Sequence, residues 1–234
     1  MSKTVAALVA VVFAAAVAAY AAHAGVSSGA GTCATYHPAI PSPSHFSKTI
    51  DNPYFPLPVG RTFVYRGVES GTKELDRMHV TGRTKNIAGI TATVVSDNVY
   101  EPPKKLAEKT FDYYAQDRSG NVWYLGEDTK ELMGGGIVNT SGSWLAGKHG
   151  AKPGLIMEAD PQVPDSYRQE CRTGEAEDLA WVVGRGGSRL RTLEFSPLEP
   201  SIVERKVYKR GVGVIAEQQL SGGHETLSLV HVTG

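Results

Sequence analysis

Very little in this chain announces a chemistry. It holds no His-Glu-x-x-His helix, no Cys-x-x-Cys pair and no phosphate-binding loop. The metalloprotease, redox and nucleotide-binding classes that carry those signatures therefore lose their first support. Gly211 and Gly213 lack the third glycine and following helix of a dinucleotide fold, so they read as a hairpin turn. The seven histidines (His23, His37, His45, His79, His149, His224, His231) show none of the tight spacings that bring two imidazoles to one metal. No metal site and no cofactor are expected. Neither sign of charge is in excess, with 24 Lys plus Arg against 24 Asp plus Glu mixed along the sequence. That speaks against nucleic acid or an anionic membrane as the main partner, because both call for a basic face.

What is present begins at the N-terminus. Lys3 precedes an uncharged Ala/Val-rich run from Val5 to Ala22, followed by the small-x-small site Ala22-His23-Ala24. This is the layout of a secretory signal peptide over residues 1–24, with Gly25 as the mature start and no stable membrane span after cleavage. Cys33 lacks the preceding residues of a lipid-attachment site. The expected location is the cell envelope or the exterior, and there a lone pair of cysteines, Cys33 and Cys171, is most simply a disulfide. The loop it would close is long enough for the chain-entropy relation to give an upper figure of about 5 kcal/mol. Two buried free thiols are the alternative.

About 210 residues remain after cleavage, enough for one domain that buries roughly 70% of its unfolded surface. Residues 25–58 are rich in Ser, Gly and Pro with no apolar alternation, and read as an extended arm in which Tyr54, Phe55 and Leu57 can dock. From residue 59 to 234 the pattern is period two, with β-branched and aromatic runs between Gly, Asn and Asp turns and no 3.6-residue period. About 10–12 strands are expected: 61–67, 73–84, 90–100, 106–116, 121–125, 130–139, 166–172, 178–183, 189–195, 202–209, 212–219 and 225–232. Short turns imply antiparallel neighbours, and so many strands point to a curled antiparallel sheet or barrel, with a β-sandwich as the alternative. Residues 140–165 form the one long linker, which at that length is functional or disordered; Trp144, Leu155, Ile156 and Met157 argue against disorder.

One strand alternates clearly. Phe111, Tyr113 and Ala115 share one face; Thr110, Asp112, Tyr114 and Gln116 share the other. Large groups on both faces suit a wall with a core behind and a partly covered cavity in front, although Tyr is also simply a good strand former. The aromatic and basic residues Tyr114, Trp123, Trp144, Trp181, Tyr167 and Arg168 are the candidate ligand contacts. Glu158 and Asp160 in the long linker, with Glu175, Glu177 and Asp178 after Cys171, are candidate catalytic acids, since paired carboxyls of unlike pKa can work as general acid and base on a glycan. Surface solvation or pairing with Arg168 and Arg172 is the alternative for these acids. The acidic runs Asp117 to Asn121 and Gly126 to Asp128 read as turns rather than calcium loops.

Several blocks resemble an uncharacterised family of secreted, β-rich bacterial proteins: Asp51-Asn52-Pro53-Tyr54-Phe55-Pro56-Leu57, Tyr113-Tyr114-Ala115-Gln116-Asp117 with Gly120-Asn121-Val122-Trp123-Tyr124, and Gly174-Glu175-Ala176-Glu177-Asp178. The similarity runs from about Phe46 to the end. It implies an exported single β-rich domain and carries no catalytic residues. The functional expectation is a secreted or envelope protein that binds a small-molecule or glycan ligand. The alternatives are a carbohydrate-active hydrolase or lyase using the linker acids, and a non-catalytic structural module.

Overall fold

The computed structural model describes residues 33–234, so the signal-peptide reading of residues 1–24 and the first part of the arm lie outside the described residues. From Cys33 to Arg61 the chain forms one 3-10 turn, Pro43–His45, and no strand. Fourteen strands follow. They are β1 (Thr62–Glu69), β2 (Thr72–Ile87), β3 (Ile90–Glu101), β4 (Lys105–Gln116), β5 (Val122–Met133), β6 (Gly136–Asn139), β7 (Trp144–Leu145) and β8 (Gly154–Met157) in the first part. The second part holds β9 (Ser166–Arg168), β10 (Leu179–Gly186), β11 (Arg189–Phe195), β12 (Val203–Lys209), β13 (Gly213–Ser221) and β14 (Thr226–Thr233).

All neighbours are antiparallel, in the order β6-β5-β4-β3-β2-β1-β14-β13-β12-β11-β10-β9. The fold is thus one meander whose first and last strands pair with each other, Phe63 opposite Val232 and Gly67 opposite Leu227. Two-residue turns make this register possible. Ser70-Gly71 and Ala88-Gly89 both hold positive φ at each position, the backbone that matches the twist of a hairpin. Register shifts in the β1–β14, β2–β3, β3–β4, β4–β5, β10–β11 and β12–β13 pairings each leave extra residues in one strand and bend it, and the sheet curls.

The hydrogen-bonded ladder does not close into a barrel. Between its two ends lies the long linker, which is ordered: β7 and β8 both pair with β5, and Lys152, just before β8, bridges Cys171, just after β9. Gly154 allows this approach, since a Cβ there would lie inside the backbone of Gln169. The strand expectation is corrected at three points: the strand expected over 166–172 ends at Arg168, the linker 140–165 carries β7 and β8, and the third lies in β5. Residues 121–125 and 130–139 are not two strands about a turn at Gly126 to Asp128; β5 runs straight through, and the turn falls at Gly134 and Gly135. Gly126 at φ 133° serves a different need, because Trp144 carbonyl oxygen packs where its side chain would be.

A disulfide joins Cys33 to Cys171 with Cα atoms 5.3 Å apart. The same corner is held by Lys152, whose Nζ donates to the carbonyls of Cys33 and Tyr36 at 3.0 and 2.5 Å. Apolar side chains such as Phe63, Val80, Val95, Tyr124, Leu190 and Tyr208 form a buried cluster with Tyr54, Phe55 and Leu57 of the arm.

Candidate functional site

The inner face of the curl carries a partly open cavity of about 210 Å³ whose wall mixes ionisable and apolar side chains. Strand alternation puts its groups there. Tyr65 of β1 lies opposite Asp76 of β2, Thr110 of β4 opposite Asp97 of β3, and Asp112 opposite Glu127 of β5. From the other half of the sheet, Lys206 of β12 lies opposite Glu217 of β13. All of these side chains line the cavity, together with Glu74, Glu108 and the rings of Phe55, Phe63, Tyr114 and Tyr208. Seven carboxyl groups therefore face one ammonium across a small volume.

Burial dominates their chemistry. It pushes the Asp112 carboxyl up to about 8, with Asp97 adding to the rise and the Tyr124 O–H, donating at 2.6 Å, opposing it. Glu108 and Glu74 are each pushed up to about 7, first by burial and then by neighbouring acids. Burial and then the adjacent Asp97 hold Asp76 well above the usual range, and burial and then Asp112 do the same for Glu127. Like charges facing each other on paired strands repel, and low-dielectric surroundings strengthen the effect. Lys206 is the counterweight. Burial would lower it, but Glu194 and Glu217, at 3.0 and 3.7 Å, hold it ionised and raise it. Glu194 also accepts from Thr192 Oγ1 and Tyr208 O–H at 2.8 and 3.0 Å.

Asp76 is distinctive. It is 8% exposed, and its Oδ1 has no hydrogen-bond partner among the described residues. Asp97 Oδ1 is in the same condition. No group of three or more His, Cys, Asp or Glu among the described residues is arranged to hold a metal ion.

Of the aromatic and basic residues singled out from sequence, Tyr114 lines this cavity, stacked on Tyr124 at 4.7 Å and edge-on to Phe55 at 5.3 Å. The others lie elsewhere. Trp123 is buried and donates to Asp117 Oδ2 at 2.9 Å; Trp144 packs edge-on to Tyr124 at 5.4 Å; Trp181 is half-buried on β10 opposite Leu193 and Ser166. Tyr167 is buried with its hydroxyl 4.0 Å from Met157 Sδ. Arg168, 2% exposed, donates to Glu177 carbonyl oxygen at 3.0 Å and stands over the Tyr36 ring.

The candidate acids hold local structure. Glu177 Oε1 accepts the Gly174 N–H at 2.9 Å, and its Oε2 lies 4.0 Å from Arg168 Nη1. Glu175 accepts the Gly142 N–H at 3.1 Å and lies 3.8 Å from Arg172. Asp160 is exposed and pairs with Arg185 at 2.6 Å. Asp178 is raised by burial against the opposing pull of Ser196 and Lys206. Glu158, half-buried, is pushed up to about 7 by burial and by Asp165.

Two of the blocks that carried the family resemblance, residues 51–57 and 113–124, meet at one node. Asn52, 1% exposed, donates from Nδ2 to the carbonyls of Gly120 and Glu158, both at 2.9 Å, and accepts the Tyr54 and Phe55 N–H groups at Oδ1. Gln116 Oε1 accepts the Asp51 and Asn52 N–H groups at 2.9 and 2.8 Å. Asp117 accepts from Ser119, Asn121 and Trp123. The node fixes the arm across the sheet, and Phe55, Pro56 and Leu57 then form part of the cavity wall. The cavity acids themselves lay outside the sequence expectation. Asp112 had been placed on a strand face with Thr110 and Tyr114, and that alternation was the one signal available.

No family model matches this chain, and no curated protein matches it. Among solved structures it is similar to a candidate exported protein with a YmcC-like fold from Bacteroides fragilis, at 11% identity and a TM-score of 0.43, over 77% of this chain and 99% of that one. It is also similar to a candidate lipoprotein from Parabacteroides distasonis, at 11% identity and a TM-score of 0.39, over 78% of this chain and 100% of that one. Likeness at this level transfers neither ligand nor activity.

Proposed function

We propose that this chain is an exported or envelope ligand-binding protein whose ligand occupies the concave face of the curled sheet. One observation carries the reading: where a meander of this size ordinarily packs apolar side chains, this one keeps a cavity of about 210 Å³ bounded by ionisable groups and aromatic rings. Pockets with a few convergent polar groups and shifted carboxyls are the default sites for small ligands. Export is supported by the signal-peptide layout of residues 1–24 and by the Cys33 to Cys171 bridge, which suits an oxidising compartment.

The test is native mass spectrometry of the mature protein from its host's secretion fraction, joined to thermal-shift screening. A bound small molecule that is lost on Thr110→Phe, which would fill the cavity, supports the reading. A protein that carries no added mass and responds to no small molecule overturns it in favour of a structural module. A glycan hydrolase or lyase is the second reading, favoured by Glu158, whose carboxyl at about 7 stands in the range of a general acid. Turnover of a glycan that Glu158→Gln abolishes would select it.

A further inference from the structure

We propose that the cavity on the concave face is a binding site for a small organic cation, an alkyl amine or diamine of a few heavy atoms. This rests on the reading that the cavity holds a ligand and adds the ligand's chemical class. The first ground is charge. Among the described residues that line the cavity, Lys206 is the sole cation, and it is already engaged by Glu194 and Glu217. The remaining carboxyls, from Glu74 and Asp76 on one side to Asp112 and Glu127 on the other, have no cation of the protein's own. An anion would add to the repulsion, and a neutral molecule would leave these acids protonated, whereas a cation lets them ionise against it.

The second ground is an unanswered acceptor. Asp76 is more than nine-tenths buried, lines the cavity, and leaves Oδ1 without a hydrogen-bond partner; Asp97, also on the cavity wall, leaves its own Oδ1 without one. The two carboxyls stand side by side and one shared proton is all they have between them, whereas a primary ammonium brings three donors and a positive charge. The rings of Phe55, Phe63, Tyr65, Tyr114 and Tyr208 on the same wall supply π faces that favour an alkylammonium. Size agrees, since about 210 Å³ lies below the roughly 300–1,000 Å³ of drug-sized pockets. A smaller hollow shares Glu74 and Glu217 with the cavity and adds Glu204 and Glu225, so the adjoining surface is acidic too and would concentrate cations.

The experiment is calorimetric titration of the mature, disulfide-bonded protein with 1,4-diaminobutane, ethanolamine and choline. Acetate, glucose and calcium chloride serve as contrasts, and the thermal midpoint is followed in parallel. We expect saturable one-to-one binding of at least one amine, weakened at least tenfold by Asp76→Asn and separately by Asp97→Asn. Asp128→Asn, at an acid half open to solvent and outside the cavity, should leave binding unchanged. Neither cavity variant should lower the thermal midpoint of the unliganded protein, which separates lost binding from lost fold. Binding of glucose or acetate instead of any amine overturns the cationic class but keeps the ligand-binding reading. Calcium binding in place of amines overturns the organic class, and amine binding indifferent to both Asp variants overturns the site. If nothing binds, the inference falls and the reading beneath it loses its support.

Discussion

Replacing Asp112 by Asn should flatten an unusual pH dependence. Folded, Asp112 is raised to about 8; unfolded, it returns to about 3.9. Between those values the unfolded chain has lost a proton that the folded one keeps, so stability is greatest at low pH and declines as pH rises. This is opposite in sign to a salt-bridged carboxylate. Each pH unit across that window removes about 1.4 kcal/mol per retained proton, so from pH 5 to pH 7 the decline due to Asp112 alone is at most about 3 kcal/mol. Glu127 faces it across the strand pair, and Asp97 and Glu108 add to its rise, so neighbouring acids take up part of the same proton. The single substitution should therefore remove about 1–3 kcal/mol of the decline. Asn is isosteric and its Oδ1 can still accept the Tyr124 O–H, so the two proteins should nearly coincide at pH 5. Urea denaturation at pH 5, 6 and 7 reads the slopes directly, with Asp128→Asn as a control that leaves the wild-type slope intact. Wild-type stability that rises from pH 5 to pH 7, or an Asp112→Asn slope equal to the wild type, would refute the reasoning.

Asn52→Ala should lower stability by about 3 kcal/mol, because it orphans two carbonyls and the Tyr54 N–H at about 1 kcal/mol each; chemical denaturation checks it. Cys33→Ser with Cys171→Ser should cost about 2–4 kcal/mol and at most about 5, and limited proteolysis should then cut first between residues 33 and 45. Gly154→Ala drives a methyl into the Gln169 backbone and should cost more than about 2 kcal/mol, seen as faster amide exchange in β8 and β9. Glu177→Gln should lower stability by about 1–3 kcal/mol, since it weakens the partner of buried Arg168; loss of glycan turnover at unchanged stability would instead make Glu177 a reacting group.

The strands were legible because period-two alternation and turn residues are local properties. Gly71 and Gly89 end strands by their own backbone preference, and no distant contact is needed to see them. The cysteine pair was legible by count and compartment. Where the reading failed, a distant partner decided the outcome. Gly126 looks like a turn in isolation, but it sits inside β5 because Trp144, eighteen residues on, packs its backbone against the position. The pairing of β1 with β14 is likewise invisible locally, since each strand has the composition of any edge or centre.

The site was hidden for a different reason. Hydrophobic-in, polar-out patterning assigns Glu108, Thr110 and Asp112 to solvent, whereas the fold turns that face inward, leaving Phe111 and Tyr113 on the other side under the side chains of Arg83, Lys109 and Lys85. A sheet that buries its acids and screens its aromatics with basic side chains forgoes stability, and sequences keep such reversals where a function needs them. The motif blocks fit the same logic. Asn52, Gln116 and Asp117 spend their hydrogen bonds holding the arm, and the arm brings Phe55 to Tyr114 at the cavity wall. The part of the chain most recognisable as sequence is therefore the frame. The part that bears on function is the acidic lining, whose residues are ordinary one at a time and unusual only once the curl gathers them.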